Sequence, residues 1–335
     1  MNNTWKHIVV GVLGFFFFNI STEISAQDIH FSQFNQAPAR LNPALTGQFK
    51  GGYRIAGIYR SQWSSVTIPY TTFSLSGDAH NFMKQQGLGV GLDFFYDKAG
   101  DDNLGTVNFN LSGSYSIPIG NTGMHHLTVG SQVGWAKRQI DPNKLVFDNQ
   151  YGGGGSLETF ETGSSYLDIN AGILWETKFA KRKKLQIGFA THHLNRPSIN
   201  FYNSDASTLD LRISIHGNYQ FKISEKMDLI PGFLTMFQGP HQQITPGMNA
   251  KYILDARSNN YRALYFGIWS RINDAGFAVV GMDFNNMNVG VSYDFNYSSL
   301  SAASRYRGGF EISLIYIFSE PLPPRKHFKT CPDYI

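Results

Sequence analysis

Gly105-Thr106-Val107-Asn108-Phe109-Asn110-Leu111-Ser112-Gly113-Ser114-Tyr115-Ser116-Ile117 is the stretch that decides the fold. Val107, Phe109, Leu111, Tyr115 and Ile117 take one parity, and Thr106, Asn108, Asn110, Ser112, Ser114 and Ser116 take the other. That period of two belongs to a strand, whose successive side chains point to opposite faces. One face is apolar and the other polar, over a length well beyond the roughly five to six residues of a typical globular strand. The pattern returns at Leu88, Val90, Leu92, Phe94 and Tyr96, at Leu209, Leu211, Ile213, Ile215, Tyr219 and Phe221, and at Val289, Val291, Tyr293 and Phe295.

Composition narrows the meaning of these segments. The chain has 335 residues, 42% hydrophobic and 15% aromatic, with only 16% charged. An average soluble domain has roughly 25% charged residues. Disorder is excluded by the apolar content. Apart from Ile8 to Phe18, no apolar run approaches the ~20 residues of a membrane-spanning helix. The net charge of +4 is scattered along the chain, which argues against nucleic acid as a partner. Cys331, the single cysteine, has no partner for an internal disulfide.

Segments of about ten or more residues match a tilted bilayer crossing. In hydrocarbon every backbone group must be paired within the protein, which a closed sheet achieves. The expected fold is therefore all-β, a transmembrane antiparallel β-barrel of about fourteen strands, with apolar residues toward lipid and polar ones toward the lumen. The strands are expected near 52–60, 68–79, 87–97, 105–118, 125–137, 165–177, 184–193, 208–221, 226–237, 243–254, 261–271, 276–284, 287–297 and 308–318. Tyr115, Trp135, Trp175, Tyr219, Phe221, Trp269, Tyr293, Phe295, Tyr316 and Phe318 are the expected interfacial girdles. Short links after even strands read as periplasmic turns and longer links after odd strands as outer loops, the longest being 138–164. Two features resist the pattern: the short link at Gly239 to Gln242, and the strand at 261–271, which is apolar on both parities.

Residues 1–26 read as a signal peptide, with Lys6 and His7 before the apolar run and Ser25-Ala26 before the cut, so outer-membrane localisation is expected. A membrane anchor is the competing reading, but the run is too short to span. Residues 27–50 form a periplasmic N-terminal segment seated under or inside the barrel, and residues 51–318 form the barrel itself. Residues 319–335 form a Pro-containing tail made basic by Arg325, Lys326, His327 and Lys329, either simply solvated or a periplasmic docking segment.

Polar-parity charges give the lumen-facing candidates Asp93, Asp168, Asp210, Arg212, His216 and Asp294. Such residues line open channels and also cross-link plugged interiors, so an outer-membrane porin or transporter for a small solute stands as an alternative to a scaffold. Catalysis is not expected. Ser214 and His216 share the polar parity, but a lumen lining explains them better than a hydrolase does. His125-His126 and His192-His193 are adjacent on strands and point to opposite faces, so no metal site is assigned. No cofactor motif is present. Asp97, Asp101 and Asp102 fit a solvated acidic loop better than a calcium site.

Gln27 to Phe34 (QDIHFSQF), Ala37-Pro38, Leu41-Asn42-Pro43-Ala44, Thr46-Gly47, Tyr59 to Trp63 (YRSQW) and Pro69 together resemble the opening signature of the PorP/SprF family, type IX secretion system outer-membrane proteins of the Bacteroidetes. The resemblance covers essentially the chain after residue 26. It implies a component of protein secretion or of surface anchoring rather than a catalyst. Implied partners are outer-membrane lipids, a secreted gliding-type adhesin with a C-terminal sorting domain, and periplasmic ring or lipoprotein components of the secretion machinery. Phe31, Ser32, Gln33, Pro38, Asn42, Pro43, Gly47, Arg60, Gln62 and Trp63 are the motif or partner-contact candidates. Pro43 and Gly47 suit a turn before the first strand, Arg60 suits a headgroup or a loop carboxylate, and Trp63 suits an interfacial position. An alternative reading of the same residues is that they fold the barrel and its plug.

Overall fold

The computed structural model of the chain describes residues 28–63, 68–100, 104–141, 163–200, 207–257, 260–298 and 301–319. Fourteen strands follow in order: β1 (Tyr53–Gln62), β2 (Tyr70–Ala79), β3 (Leu88–Ala99), β4 (Leu104–Ile119), β5 (His125–Gln139), β6 (Gly163–Ala180), β7 (Lys183–His192), β8 (Arg212–Ser224), β9 (Met227–Gln238), β10 (His241–Asp255), β11 (Arg262–Arg271), β12 (Ala275–Phe284), β13 (Met287–Asn296) and β14 (Arg307–Phe318). Each pairs antiparallel with its sequence neighbours. The register Tyr53↔Phe318 through Gln62↔Gly309 joins β1 to β14 and closes the barrel, leaving no sheet edge.

Burial is inverted relative to a soluble protein. On β4, Phe109 and Leu111 are 51% and 58% exposed, while Asn110 and Ser112 are 4% and 2% exposed. The period of two thus sends the apolar parity outward and the polar parity inward, the arrangement a lipid solvent selects. Among the described residues no helix is long and apolar enough to cross a membrane; the strands make the crossing. Most girdle candidates face outward, including Trp135, Trp175, Tyr293, Phe295, Tyr316 and Phe318. Trp269 does not. It is buried inside, stacked with Phe277 at 6.3 Å and edge-on to Phe34 at 5.2 Å.

That inward tryptophan reveals what fills the lumen. Residues 28–50 lie inside the barrel, rather than as a segment beneath it, and cross from one end to the other. Asp28 contacts His193 and Gln238, where β7 and β9 end, whereas Gly47 contacts Asp78 and His80 at the end of β2. Three short helical turns, Phe34–Gln36, Pro38–Leu41 and Pro43–Leu45, compact the descent. Phe34 and Leu41 pack on Leu234, Trp269 and Phe277, and Phe31 and Ala37 pack on Ile58 and Phe95. The strand that looks apolar on both parities is explained by this contact: β11 turns Leu264, Phe266 and Ile268 to lipid and Trp269 to the plug. The tight link after β9 also has a local cause, Gly239 at φ +52° followed by Pro240, which lets Gln238 pair with His241.

The barrel therefore has a tight-turn end, where residues 181–182 and 285–286 link strands, and a long-link end, where 193–211 and 297–306 do. The expected signal peptide, the outer loop around Gly152 to Gly155, Asp101-Asp102 and the tail beyond Ser319 lie outside the described residues.

Candidate functional site: a plugged lumen and its vestibule

The N-terminal signature builds the plug and its sockets. Asn42 is fully buried. Its Oδ1 accepts the Ala44 N–H at 2.8 Å and so caps the turn that Pro43 begins. Its Nδ2 donates to the Ile173 and Phe189 carbonyls at 3.1 and 3.3 Å and meets His216 Nε2 at 3.1 Å. The strand wall accommodates this turn through glycines on the inward parity: a Cβ on Gly172 would overlap Asn42 Oδ1, and one on Gly130 would overlap the Ala44 backbone. Gly47 has φ +69° and a Cβ there would sit 2.6 Å from the Gly89 Cα, so both its backbone shape and its close packing require glycine. Its N–H donates to Asp78 at 2.7 Å, and Asp78 is gripped in turn by Arg54 through two bonds of 2.9 and 2.6 Å.

Higher in the lumen, the backbone N–H groups of Ser32 and Gln33 donate to the two carboxylate oxygens of Glu311 at 2.6 and 2.8 Å. Arg60 Nη1 bridges Glu311 at 2.9 Å and the His30 carbonyl at 2.6 Å, and its Nη2 reaches Asp294 at 3.3 Å. Ser32 Oγ donates to Asp294 at 2.7 Å and receives Arg271 at 2.9 Å. Arg60 is thus a buried plug clamp, not a headgroup or loop contact as its position at the end of the first strand suggested. The physical reason is parity, because Arg60 alternates with the outward Tyr59. Gln62 lines the vestibule described below, and Trp63 packs edge-on against Tyr70 at 4.8 Å. Pro38 opens the middle helical turn and is buried.

The lumen candidates divide between the two regions. Asp294 belongs to the Arg60 clamp and His216 to the Asn42 socket, so the imidazole beside Ser214 is engaged by the plug. Asp93 receives Arg40 of the plug at 2.9 Å. Asp168, Asp210 and Arg212 line a vestibule of about 630 Å³ at the long-link end, floored by Asp28, Ile29 and Arg40 and walled by Thr72, Asp97, Asn108, Arg138 and Tyr166. Its floor is latched electrostatically. His193 Nε2 lies 2.6 Å from Asp28 and its Nδ1 lies 2.8 Å from Asp168, and Arg212 reaches Asp28 at 3.0 Å. Burial opposes charge on His193, but the two carboxylates outweigh it and raise its pKa to about 9. Burial likewise opposes charge on Asp28, which His193 and Arg212 nevertheless hold far below the usual carboxylate range. Arg40 completes the floor, stacked 3.9 Å above the Phe95 ring.

Asp28, Arg40, Arg54, Asp78 and Glu311 were not singled out by the sequence reading, and His193 entered it only as half of a histidine pair set aside as a metal site. Glu311 was within reach of it, since Glu311 and Ser313 alternate with Phe310, Ile312 and Leu314. Asp28 and Arg40 sit in the plug and His193 in a link, where no periodicity marks a face, while Arg54 and Asp78 lie paired on the inward parity at the adjoining ends of β1 and β2.

An oily exterior, a polar closed interior and a self-supplied plug define a membrane-spanning barrel whose conduit is filled by its own N-terminal segment. The chain belongs to the type IX secretion system membrane protein PorP/SprF family, whose model matches residues 23–316. The family and the fold support an outer-membrane location. No curated protein sequence matches the chain. Among solved structures it is similar to the Ralstonia pickettii toluene transporter TbuX, at 9% identity and a TM-score of 0.52 over 84% of this chain and 94% of that one. It is also similar to the P. putida toluene transporter TodX, at 10% identity and a TM-score of 0.48 over 84% and 94% of the respective chains. At such identities the likeness to TbuX is one of fold alone.

Proposed function

We propose that this barrel works as an outer-membrane scaffold of type IX secretion: it supports the secretion or surface anchoring of a large adhesin-type protein, held through its C-terminal sorting domain, and contacts periplasmic ring or lipoprotein components. The observation that carries this reading is the plug. Residues 28–50 occupy the lumen from end to end and are tied to the wall by the ion pairs of Asp28 and Arg40, by the hydrogen bonds of Ser32 and Gln33 to Glu311 and Asp294, and by glycine-floored sockets, so the interior serves rigidity rather than passage. What remains accessible is the vestibule at the long-link end, which standard barrel topology turns outward. Its alternating carboxylates and guanidiniums suit the polar surface of a protein domain. The tight-turn end faces the periplasm in the same topology.

Gentle detergent extraction followed by mass spectrometry, paired with planar-bilayer recording, tests the proposal. A closed barrel that retains a secreted protein bearing a sorting domain is expected. A steady open conductance with no such companion would instead indicate passage of a small solute and overturn the scaffold.

A further inference from the structure

The tight-turn end carries a concentration of positive charge that the plug does not use. Around the β6–β7 and β8–β9 turns lie Lys178, Lys181, Arg182, Lys183, Lys184, Lys222 and Lys226, against the carboxylates Glu176, Glu225 and Asp228. The three carboxylates are already engaged. Glu176 holds Lys178 and Lys184 at 2.9 and 2.7 Å, Asp228 holds Arg182 at 2.6 Å, and Glu225 holds Lys222. Lys181, Lys183 and Lys226 are exposed and make no ion pair among the described residues.

Their position relative to the oily belt decides what they meet. Lys183 shares the outward parity of β7 with Ile187 and Phe189, so its stem runs along the lipid-facing wall. Beside it, Phe179 and Ile223 are 52% and 51% exposed, and Tyr219 stacks on Phe221 at 5.5 Å. Outward apolar side chains thus reach the same rim as the cations. A soluble protein docking on the turns would leave that belt uncovered. Acyl chains cover it, and the lysines snorkel to the headgroup layer above.

We infer that this quarter of the tight-turn rim is a binding surface for the phosphate headgroups of anionic phospholipid, with Lys181, Lys183 and Lys226 as the cationic contacts and the Phe179, Tyr219, Phe221 and Ile223 ribbon beneath the glycerol and acyl chains. Each basic residue near an anionic surface is worth about fivefold in affinity. Neutralising all three should therefore weaken retention by at least roughly tenfold, and salt should weaken it further through screening.

The test uses the full chain in nanodiscs of phosphatidylcholine doped with phosphatidylglycerol, extracted gently and read by native mass spectrometry. The wild type is expected to retain phosphatidylglycerol over phosphatidylcholine, and a K181Q/K183Q/K226Q variant to lose that preference while keeping its heat-modifiable folded band on gels. A K84Q variant, altered at the β2–β3 link, should behave as wild type. Equal retention of both lipids by the wild type, or an undiminished preference in the folded triple variant, would overturn the assignment. So would binding of polyglutamate to the wild type in the absence of any phosphatidylglycerol preference, which would assign the rim to an acidic protein instead.

Discussion

Replacing Asn42 with alanine should unseat the plug while leaving the barrel wall intact. The side chain makes two separable contributions. As a cap for the Pro43 turn it accepts the Ala44 N–H, and loss of such a cap costs about 0.5–2 kcal/mol. As a buried donor it meets His216 Nε2 and two strand carbonyls, and a buried polar group left without its partner costs about 1–3 kcal/mol. The cavity cannot be repaired by a neighbour, because glycine faces Asn42 from both β6 and β7. Together these give roughly 3–4 kcal/mol, which is a factor of several hundred in the population of the undocked turn. Hydrogen exchange of the Leu45 and Thr46 amides, whose acceptors are backbone carbonyls that the substitution keeps, reads that population directly and should accelerate by two to three decades, of order 10² to 10³, in Asn42→Ala, with strand amides unchanged. Acceleration of less than about threefold in a folded variant would refute the claim that Asn42 seats the plug.

The latch at Asp28 gives a pH dependence. His193 has its pKa raised from 6.5 to about 9, so its contribution is complete below about 6.5 and is lost as pH rises through about 9. Asp28 is shifted the other way, so its contribution holds above its ordinary value of 3.8 and fails only as pH falls far below it. A spin label at Ile29→Cys should be immobile at neutral pH and mobile near pH 10, and His193→Gln should mobilise it at pH 7; immobility throughout would contradict the latch. Glu311→Ala leaves Arg60 buried without its nearest carboxylate and should destabilise the folded barrel by about 3–5 kcal/mol, seen as a lower temperature for loss of the fast-migrating band. Leu111→Arg places a cation on the lipid face and should cost about 2–4 kcal/mol in folding into vesicles, whereas Ser116→Ala, on the opposite parity of the same strand, should leave insertion nearly unchanged.

The barrel was legible because a lipid solvent writes its demand at every second residue. The strand expected at 105–118 appears as Leu104–Ile119, and that expected at 287–297 as Met287–Asn296. Evenness followed from the same alternation, whereas turn placement followed after β6, β8 and β12 but not at the short links after β9 and β11 or the longer one after β2. The plug was legible only as composition and as a signature, since its bonds join residues far apart in sequence, such as Ser32 with Glu311 and Asn42 with His216. Trp269 and Arg60 show why that matters. A tryptophan or arginine near a strand end has two possible destinations, and the choice depends on what occupies the interior. The inward glycines of β5, β6 and β7 were likewise visible as residues but not as sockets, because a missing side chain gains meaning only once the group it makes room for is placed.

The direction of the plug bears on how the molecule is made. Residues 28–50, which precede every strand, end up threaded through the core, with Asp28 at the far mouth and Gly47 near the mouth at which β1 begins. Ser32 and Gln33 grip Glu311 on the last strand, and that strand zips to the first. The seam therefore closes around a segment that the polypeptide itself supplies. Segment and seam are joined by contacts between residues far apart in sequence, so a chain lacking residues 28–50 loses part of the template on which its last strand completes the circle.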